Sequence, residues 1–212
     1  MRLSRGAWAL IIILGVIILD QALKIWVKTH FYLGEDVPVT SWFQLHFIEN
    51  NGMAFGIELG SKLFLTLFRI VAVALLSYYI VKICNSDLIP VGYIVCVALI
   101  TAGAAGNIFD CMFYGLIFNN PMPPEVAVMF PDGGGYASLF HGRVVDMLYF
   151  PLFSFDWPQW VPFVGGENFL FFQPVFNIAD AAITVGMILL IIFYNKYLGV
   201  SLDSEKEKSA EE

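Results

Sequence analysis

Four long apolar runs constrain this chain more than any other feature, because each is long enough to cross a lipid bilayer. Roughly 20 helical residues, at about 1.5 Å each, span the hydrocarbon core. The chain has 58% hydrophobic and only 14% charged residues, so a water-soluble domain of 212 residues would be unable to bury its apolar surface. We therefore predict an all-α membrane protein with four transmembrane helices, at about Ala7 to Lys28, Leu63 to Val81, Leu88 to Cys111, and Ile178 to Leu198.

The first apolar run has an alternative interpretation as a secretory signal peptide. Arg2 and Arg5 precede it, as a positively charged leader would require. No small-x-small cleavage site follows, however, and the segment from Gln21 to Val27 continues the helical pattern. The run is therefore predicted to be retained as a membrane span.

Lysine and arginine near the span ends indicate the orientation, because these residues favour the cytoplasmic side. Four spans place both termini on one side, and that side carries more basic residues: Arg2, Arg5, Lys82, Lys196, Lys206 and Lys208 against Lys28, Lys62 and Arg143. We predict cytoplasmic termini and two outer connections, near residues 29–62 and 112–177. Residues 1–200 would form a single membrane domain. Residues 201–212 hold five acids and are predicted to be a disordered acidic cytoplasmic tail.

Charge and cysteine content exclude two classes of function. The net charge is −7 and the sequence has no basic patch, so nucleic-acid binding has no support. The cysteines Cys84, Cys96 and Cys111 fall in or beside apolar spans without metal-ligand spacing. They are predicted to be reduced and membrane-embedded, and no metal or other cofactor is expected.

The two outer connections carry different patterns. Phe43-Gln-Leu-His-Phe alternates apolar and polar residues before an Asn-Asn-Gly turn signal, which predicts a small extracytoplasmic β element. The second connection contains Asn120-Pro-Met-Pro-Pro and Asp132-Gly-Gly-Gly, so it is expected to be irregular at both ends. Its segment from Pro151 to Pro174 is strongly aromatic and is predicted to lie on the membrane surface.

Two aspartates beside apolar sequence suggest the chemistry. Asp146 lies in His-Gly-Arg-Val-Val-Asp and Asp180 in Phe-Asn-Ile-Ala-Asp. A carboxylate near a bilayer is costly to desolvate, so two of them indicate an aspartyl hydrolase. Asp180 has an alternative role, because Asn177 three residues before it has the spacing of a helix capping box. Asp146 is flanked by apolar residues and has no visible capping role, and together the two acids favour catalysis.

Other polar residues recur at helical spacing. Asp20 and Lys24 are four residues apart on one helix face, where they can serve as a structural ion pair or take a direct functional role. Asn107 and Asp110 follow Gly103-Ala-Ala-Gly, whose small residues let another helix approach closely.

Taken in order, these motifs resemble lipoprotein signal peptidase, also called signal peptidase II. The resemblance covers residues 20–186 and rests on the following set: Asp20-Gln-x-x-Lys24, Asn50-Asn-Gly-Met-Ala-Phe55, Gly106-Asn-Ile-Phe-Asp110, Gly142-Arg-Val-Val-Asp146 and Phe176-Asn-Ile-Ala-Asp180. It implies a multi-pass aspartyl endopeptidase of the bacterial inner membrane, with its active site at the outer, periplasmic face. The substrate implied is a prolipoprotein, cleaved on the N-terminal side of a diacylglyceryl-modified cysteine. Membrane lipids are the other partner, and a monomer is expected.

The resemblance also implies roles for individual residues. Asp146 and Asp180 match the catalytic pair, so their carboxylates are expected to lie within roughly 3 to 6 Å of one another. The residues that match supporting or substrate-binding positions are Asp20, Lys24, Asn50, Gly52, Asn107, Asp110 and Asn177.

The chain departs from the family pattern in two ways. Cys111 stands where the family commonly has arginine directly after the Gly-Asn-x-x-Asp acid, and the link from Met112 to His141 is unusually long. Arg143 is a candidate replacement for that arginine, in which case it should reach Asp110.

A function from another class remains open on the sequence alone. A small multi-pass transporter or assembly subunit would use intramembrane acids as proton or cation sites, and Asp20, Asp110 and Asp180 have suitable positions. The four predicted spans show no internal repeat, which disfavours a transporter. Cleavage of a lipid-modified peptide without any gradient would discriminate the two functions.

Overall fold

The computed structural model describes residues 3–51 and 62–199, so Gly52 and the predicted tail lie outside the described residues. Three helical segments in the described part are long and apolar enough to cross a membrane. They are helix α1 (Arg5–His30), helix α2 (Lys62–Cys84), and the segment Val91–Ile117, which consists of helix α3 (Val91–Phe109), a π-helical turn (Asp110–Tyr114) and the short helix α4 (Gly115–Ile117).

The fourth predicted span is a shorter helix than expected. Helix α5 runs over Ile178–Phe193, which is 16 residues, or about 24 Å of helix. The expected end was Leu198, but Tyr194 leaves the helical conformation with φ −128° and ψ 13°, and a 3₁₀ turn follows at Asn195–Tyr197. The Tyr194 ring packs edge-on against Tyr93 of α3, with 6.4 Å between centroids, which places this last turn against the bundle.

Small residues bring α3 and α5 together, as the Gly103-Ala-Ala-Gly segment predicted. A Cβ atom placed on Gly103 would lie 2.1 Å from the carbonyl oxygen of Ala179. One placed on Gly106 would lie 2.9 Å from a carboxylate oxygen of Asp20, on α1. Any side chain at these two positions would therefore push apart the helices that carry the site.

Within residues 3–51 and 62–199, six strands form two antiparallel sheets. The larger sheet has the order β1-β2-β3-β6, and β4 and β5 pair as a separate hairpin. The strands are β1 (Asp36–Pro38), β2 (Gln44–Asn50), β3 (Val144–Tyr149), β4 (Phe153–Asp156), β5 (Asn168–Phe171) and β6 (Val175–Phe176).

The sheets confirm one prediction and correct another. The alternating segment at Phe43 to Phe47 is confirmed as a strand, since β2 begins at Gln44. The all-α class is wrong in part, because the second connection supplies β3 to β6. Its segments 120–124 and 132–135 are outside these strands, as their proline and glycine content predicted. Val144-Val-Asp-Met-Leu-Tyr is rich in β-branched and aromatic residues, which suit a strand buried on both faces.

Two buried clusters lie along the molecule. One packs the helices at the end that holds the α2–α3 connection, with Ile83, Tyr93 and Ile94 at its centre. The other joins the end of α1 and the π-helical turn to the larger sheet, through Val27, Tyr114, Val145 and similar residues. The polar residues of the sequence motifs lie between α1, α3, α5 and β3, next to this second cluster.

Candidate active site

The start of α5 holds Asp180 by helix capping. The side chain of Asn177 accepts a hydrogen bond from the Asp180 backbone N–H at 2.8 Å, and the Asp180 carboxylate accepts one from the Asn177 backbone N–H at 3.3 Å. This reciprocal pair is the capping box that the spacing predicted. It fixes the Asp180 carboxylate at the helix N-terminus, where the helix dipole favours negative charge.

The same asparagine also binds the other acid. The Asn177 side-chain Nδ2 lies 2.6 Å from Oδ1 of Asp146 and 3.1 Å from Oδ1 of Asn107. Asn107 in turn donates from Nδ2 to Oδ1 of Asp180 at 2.7 Å. Two amide side chains from different helices therefore link the Asp146 and Asp180 carboxylates in one hydrogen-bonded network.

Asp146 is buried and electrostatically coupled to Asp180. It sits on β3 with 3% of its surface exposed. The pKa of Asp146 is raised to about 7, first by burial and then by the neighbouring charge of Asp180, while Lys24 and the hydrogen bonds from Asn177 and Asn50 oppose the shift. Two carboxylates that influence one another in this way tend to share a proton near neutral pH.

Lys24 is the cation at the centre of the supporting residues. Its ammonium is fully buried and lies 2.9 Å from Asp20, 2.7 Å from Asp110 and 2.8 Å from Oδ1 of Asn107. The ion pair with Asp20 at helical spacing is therefore confirmed, and it extends from α1 to the end of α3 and the π-helical turn. The Asn107 side-chain oxygen accepts a hydrogen bond from Lys24, and this orients the Asn107 amide nitrogen toward Asp180.

The two acids paired with Lys24 also hold backbone groups. Asp20 accepts a hydrogen bond from the Ala179 N–H at 2.9 Å, at the start of α5. Asp110 accepts one from the Val145 N–H at 3.3 Å, next to Asp146 on β3. Each acid thus ties the ammonium to the backbone beside one of the two candidate catalytic carboxylates.

Gln21 is a further residue of this network that the sequence reasoning did not select. Its Nε2 lies 2.7 Å from Oδ1 of Asp110 and 3.2 Å from a carboxylate oxygen of Asp20. Its Oε1 accepts from the Tyr114 hydroxyl at 3.0 Å. The sequence did indicate a role for Gln21. It stands in the Asp20-Gln-x-x-Lys24 motif, and the apolar residues that follow it predict that this part of the helix is buried.

Asn50 joins the site through the sheet. In the β2–β3 register Ile48 pairs with Asp146 and Asn50 pairs with Val144. The Asn50 side chain hydrogen-bonds the Asp146 carboxylate. The predicted supporting residue Gly52 lies outside the described residues.

Arg143 is not where the sequence reasoning expected it. Its guanidinium lies 2.8 Å from Oε2 of Glu49 and 3.0 Å from Oδ1 of Asn120, and it stacks over the Tyr136 ring at 5.1 Å. The expectation that it reaches Asp110 is therefore wrong. The Glu49 side chain is 4% exposed, and its carboxylate pairs with Arg143 through one oxygen and with the buried ammonium of Lys28 through the other.

An apolar groove opens beside Asp180. It has a volume of about 490 Å³ and is lined by the base of the β4–β5 hairpin and the first turns of α5: Phe172, Pro174, Phe176, Asp180, Ala181, Thr184 and Val185. An apolar segment lying in this groove would pass directly by the carboxylate.

The described residues offer no cluster that fits a metal ion. Within residues 3–51 and 62–199, no group of three or more histidine, cysteine, aspartate or glutamate side chains has a suitable arrangement. The acids near Lys24 are satisfied by its ammonium and by amide and backbone N–H donors, as described above.

Comparisons with known proteins agree on one family. A profile of the family described as Signal peptidase (SPase) II matches residues 12–196. A lipoprotein signal peptidase of Porphyromonas gingivalis is 50% identical over 205 residues, covering 97% of this chain and 90% of the relative. A lipoprotein signal peptidase of Amoebophilus asiaticus is 37% identical over 187 residues, covering 85% of this chain and 75% of the relative.

Solved structures show the same fold. Two structures described as a bacterial membrane enzyme, both obtained by the in meso method, are each 25% identical in sequence to this chain. One has a TM-score of 0.59 and covers 91% of this chain and 94% of the solved chain, and the other has a TM-score of 0.61 with 90% and 89% covered.

Proposed function

The chain belongs to the signal peptidase II family, and we propose that it removes prolipoprotein signal peptides with Asp146 and Asp180 as its catalytic pair. The bond cleaved is the one on the N-terminal side of a diacylglyceryl-modified cysteine. The observation that carries this assignment is the network in which the Asn107 and Asn177 amides bind both carboxylates at 2.6 to 2.7 Å.

The proposed mechanism is acid–base activation of water. Asp180 is the ionised member, because it caps a helix N-terminus, and Asp146 holds the proton, because burial raises its pKa to about 7. Asp180 takes a proton from water as the water oxygen attacks the scissile carbonyl carbon. Asp146 donates its proton to the carbonyl oxygen, which gives a gem-diol intermediate. As the C–N bond breaks, the proton on Asp180 passes to the leaving amine and one hydroxyl proton of the intermediate returns to Asp146, which leaves the new carboxyl group and restores the dyad.

The supporting residues keep the pair in its working geometry. Asn107 and Asn177 use their amide nitrogens on the carboxylates, so they orient the acids. The Lys24 ammonium pairs with both Asp20 and Asp110, which in turn hold the backbone next to Asp180 and Asp146. Asn50 supports Asp146 from β2, and Gly52 is proposed to act in the adjacent turn.

The apolar groove beside Asp180 supports a lipid-facing route for the substrate. A signal peptide is itself apolar, and the acyl chains of the modified cysteine remain in lipid. Exposed apolar side chains of α5, including Val185, Ile188 and Ile192, continue the surface beyond the groove. The substrate would therefore reach the acids sideways from the bilayer.

The proposed placement is the bacterial inner membrane with four crossing helices. Both termini lie in the cytoplasm and the sheets lie at the outer face, so the dyad sits at the outer interface. The aromatic segment between Pro151 and Pro174 rests on the membrane surface beside it. The enzyme acts as a monomer, since the proposed site uses residues of one chain.

A cleavage assay tests the assignment. Purified protein in detergent is expected to cleave a lipid-modified prolipoprotein peptide with no ion gradient. Asp146→Asn and Asp180→Asn are expected to abolish cleavage while the protein retains its fold, because each change removes an ionisable group and keeps the shape. Asp110 is proposed to act through the backbone of β3, so Asp110→Asn should lose less cleavage activity.

Asp87→Asn is the matched control, because Asp87 is a fully exposed acid in the α2–α3 connection that pairs only with Arg5 among the described residues. It is expected to cleave like the wild type. Full activity in either dyad variant would refute the catalytic assignment. Gradient-driven transport without cleavage would favour the proton-site function instead.

A further inference from the structure

Helix α2 carries a polar stripe on an otherwise apolar helix. Lys62, Thr66 and Arg69 follow one another at helical spacing in its first two turns. The Thr66 hydroxyl lies 3.2 Å from the carbonyl oxygen of Phe140. The stripe therefore faces the segment that leads into strand β3.

Arg69 reaches the residue directly after Asp110. Its guanidinium Nη1 lies 3.5 Å from the Sγ atom of Cys111, which is 2% exposed. Cys111 occupies the position at which the resemblance expected an arginine. A guanidinium is therefore present beside this position, but it comes from α2 and not from the π-helical turn or from Arg143.

Within the described part of the chain, the contact with Cys111 leaves most N–H donors of the half-buried Arg69 without a protein acceptor. A guanidinium has five N–H donors and sulfur is a weak acceptor. Among residues 3–51 and 62–199, no carboxylate pairs with Arg69. A charged side chain in an apolar span is costly unless a partner satisfies it, and such residues commonly face a functional cavity. The remaining N–H donors of Arg69 can bind carbonyl oxygens.

The position of Cys111 relates this cation to the candidate site. The Cys111 carbonyl accepts a hydrogen bond from the Gly142 N–H at 2.8 Å, four residues before Asp146. The preceding residue, Asp110, accepts from the Val145 N–H. Arg69 thus lies against the turn that is fastened to the catalytic strand.

We propose that Arg69 is a substrate-binding residue that donates hydrogen bonds to main-chain carbonyl oxygens of the signal peptide near its scissile bond. The proposal rests on the proposed function. It makes α2 a wall of the substrate site, and it explains how Cys111 is tolerated: a guanidinium supplied by a second helix occupies the same neighbourhood.

The test removes the guanidinium of Arg69 and then supplies a new guanidinium at position 111. Arg69→Met keeps an unbranched apolar stem and removes the guanidinium. The kcat/KM for a lipid-modified prolipoprotein peptide should then fall about tenfold or more, the scale for loss of a hydrogen bond to a charged group. The fall should lie mainly in KM. The double variant Arg69→Met, Cys111→Arg should regain most of the loss.

Binding separates contact with substrate from a structural effect. In an Asp146→Asn background, which does not cleave, Arg69→Met should weaken the affinity for the same peptide to a similar degree. The melting temperature in detergent should change little. Lys82→Met, a basic residue at the other end of α2, is the matched control and should leave cleavage unchanged.

The outcomes distinguish this proposal from the proposed function. If the wild type fails to cleave, the proposed function is wrong. If the wild type cleaves and Arg69→Met cleaves equally well, Arg69 does not bind substrate. A loss that Cys111→Arg does not restore, accompanied by a lower melting temperature, would also overturn the proposal, because Arg69 would then serve only packing. If Arg69→Met does not fold, Arg69→Gln is assayed in its place and judged by the same criteria.

Discussion

Asn177 shows at the scale of one residue that capping and catalysis are not alternatives. Its backbone N–H and side-chain oxygen form the capping box with Asp180, while its side-chain nitrogen binds Asp146. An asparagine can do both because its amide carries an acceptor and two donors. The cap therefore fixes the distance between the start of α5 and the acid on β3.

The pH dependence of cleavage should report the buried acid. The pKa of Asp146 is raised to about 7, first by burial and then by the charge of Asp180. Because Asp146 holds the proton in the proposed mechanism, kcat/KM should fall above pH 7 by about tenfold per pH unit. The apparent pKa of this alkaline fall in kcat/KM belongs to the coupled pair of Asp146 and Asp180. Measurement of kcat/KM between pH 5 and 9 checks it, and a rise through pH 7 would make Asp146 the base.

Replacement of Asp146 should stabilise the fold at alkaline pH. The pKa of Asp146 in the folded protein, about 7, lies above its unfolded value near 3.9. Between these values the folded state binds more protons, so the free energy of unfolding falls as the pH rises. Above pH 7 the cost is on the order of a few kcal/mol.

Asp146→Asn removes that cost, so its melting temperature in detergent should exceed that of the wild type at pH 8. The difference should shrink as the pH falls toward 5. A variant that melts below the wild type at pH 8 would show that the carboxylate contributes more to stability through its hydrogen bonds than it costs through burial.

At the scale of elements, hydrophobic length and periodicity carried most of the prediction. The three long apolar segments and strand β2 lie where the sequence predicted them. Strand β3 was missed as a strand because it is buried on both faces, and a continuous apolar run does not reveal its period. Its partner in the sheet, β2, is about 95 residues away in sequence, and such pairing is not readable from local pattern.

The contacts of charged side chains were the least predictable part. Lys24 with Asp20 followed from helical spacing, but the partner of Arg143 did not. Arg143 pairs with Glu49 on β2, whose carboxylate also binds Lys28, and the Lys28 ammonium lies against the rings of Phe47, Phe118 and Tyr136. Two of those rings belong to the long link after Cys111, so the link has a structural role that no motif indicated.

The buried ion cluster on β2 yields a stability prediction. Glu49→Gln leaves the Lys28 ammonium without its charged partner, and loss of one member of a buried pair costs about 3 to 5 kcal/mol. Chemical unfolding in detergent measures the change. Because Asn50 follows Glu49 and binds Asp146, a loosened β2 should also raise the pKa of Asp146 and move the alkaline limb of cleavage to higher pH.

Asp36→Asn is the control in the same sheet. Asp36 pairs with His46 at the surface, and 56% of the Asp36 side chain is exposed. An exposed pair contributes about 1 kcal/mol or less, so this variant should unfold and titrate like the wild type. If Glu49→Gln and Asp36→Asn lowered the free energy of unfolding equally, the buried pair of Glu49 would contribute no more to stability than an exposed pair.

The β4–β5 hairpin should contact lipid. Trp160 is 82% exposed and Phe163 is fully exposed, while Phe153 and Phe171 stack across the two strands. Aromatic side chains of this kind favour the membrane interface. In a variant with Trp160 as its only tryptophan, brominated lipids should quench fluorescence strongly and aqueous iodide weakly. The reverse pattern would place the hairpin in water.

At the scale of the whole molecule, the polar site occupies one end of an apolar bundle. The network from Asp20 to Asp180 lies where α1, α3 and α5 meet the larger sheet, whereas the opposite end is packed by residues such as Ile83, Tyr93 and Ile94. The proposed active site at this end suits a substrate that stays in the membrane. The proposed function therefore predicts that the sheets face outward.

The orientation and the short fourth helix can be tested together by cysteine labelling. The native Cys84, Cys96 and Cys111 are replaced by alanine, and cleavage activity confirms that the fold survives. Asp132→Cys lies in the second outer connection, Asp87→Cys in the α2–α3 connection, and Ser204→Cys beyond α5. With outward-facing sheets and cytoplasmic termini, a membrane-impermeant maleimide should label only Asp132→Cys in spheroplasts. The other two should react only after lysis.

The third variant decides whether α5 crosses the membrane. Its 16 residues reach about 24 Å, less than the roughly 30 Å of a typical hydrocarbon core. Crossing therefore requires the bilayer to thin locally or the Asn195–Tyr197 turn to sit within the inner interface. Phe193, which is 62% exposed directly before that turn, suits such a position. Labelling of Ser204→Cys in intact spheroplasts, with Asp87→Cys still protected, would show that α5 turns back and that the protein has three crossing helices.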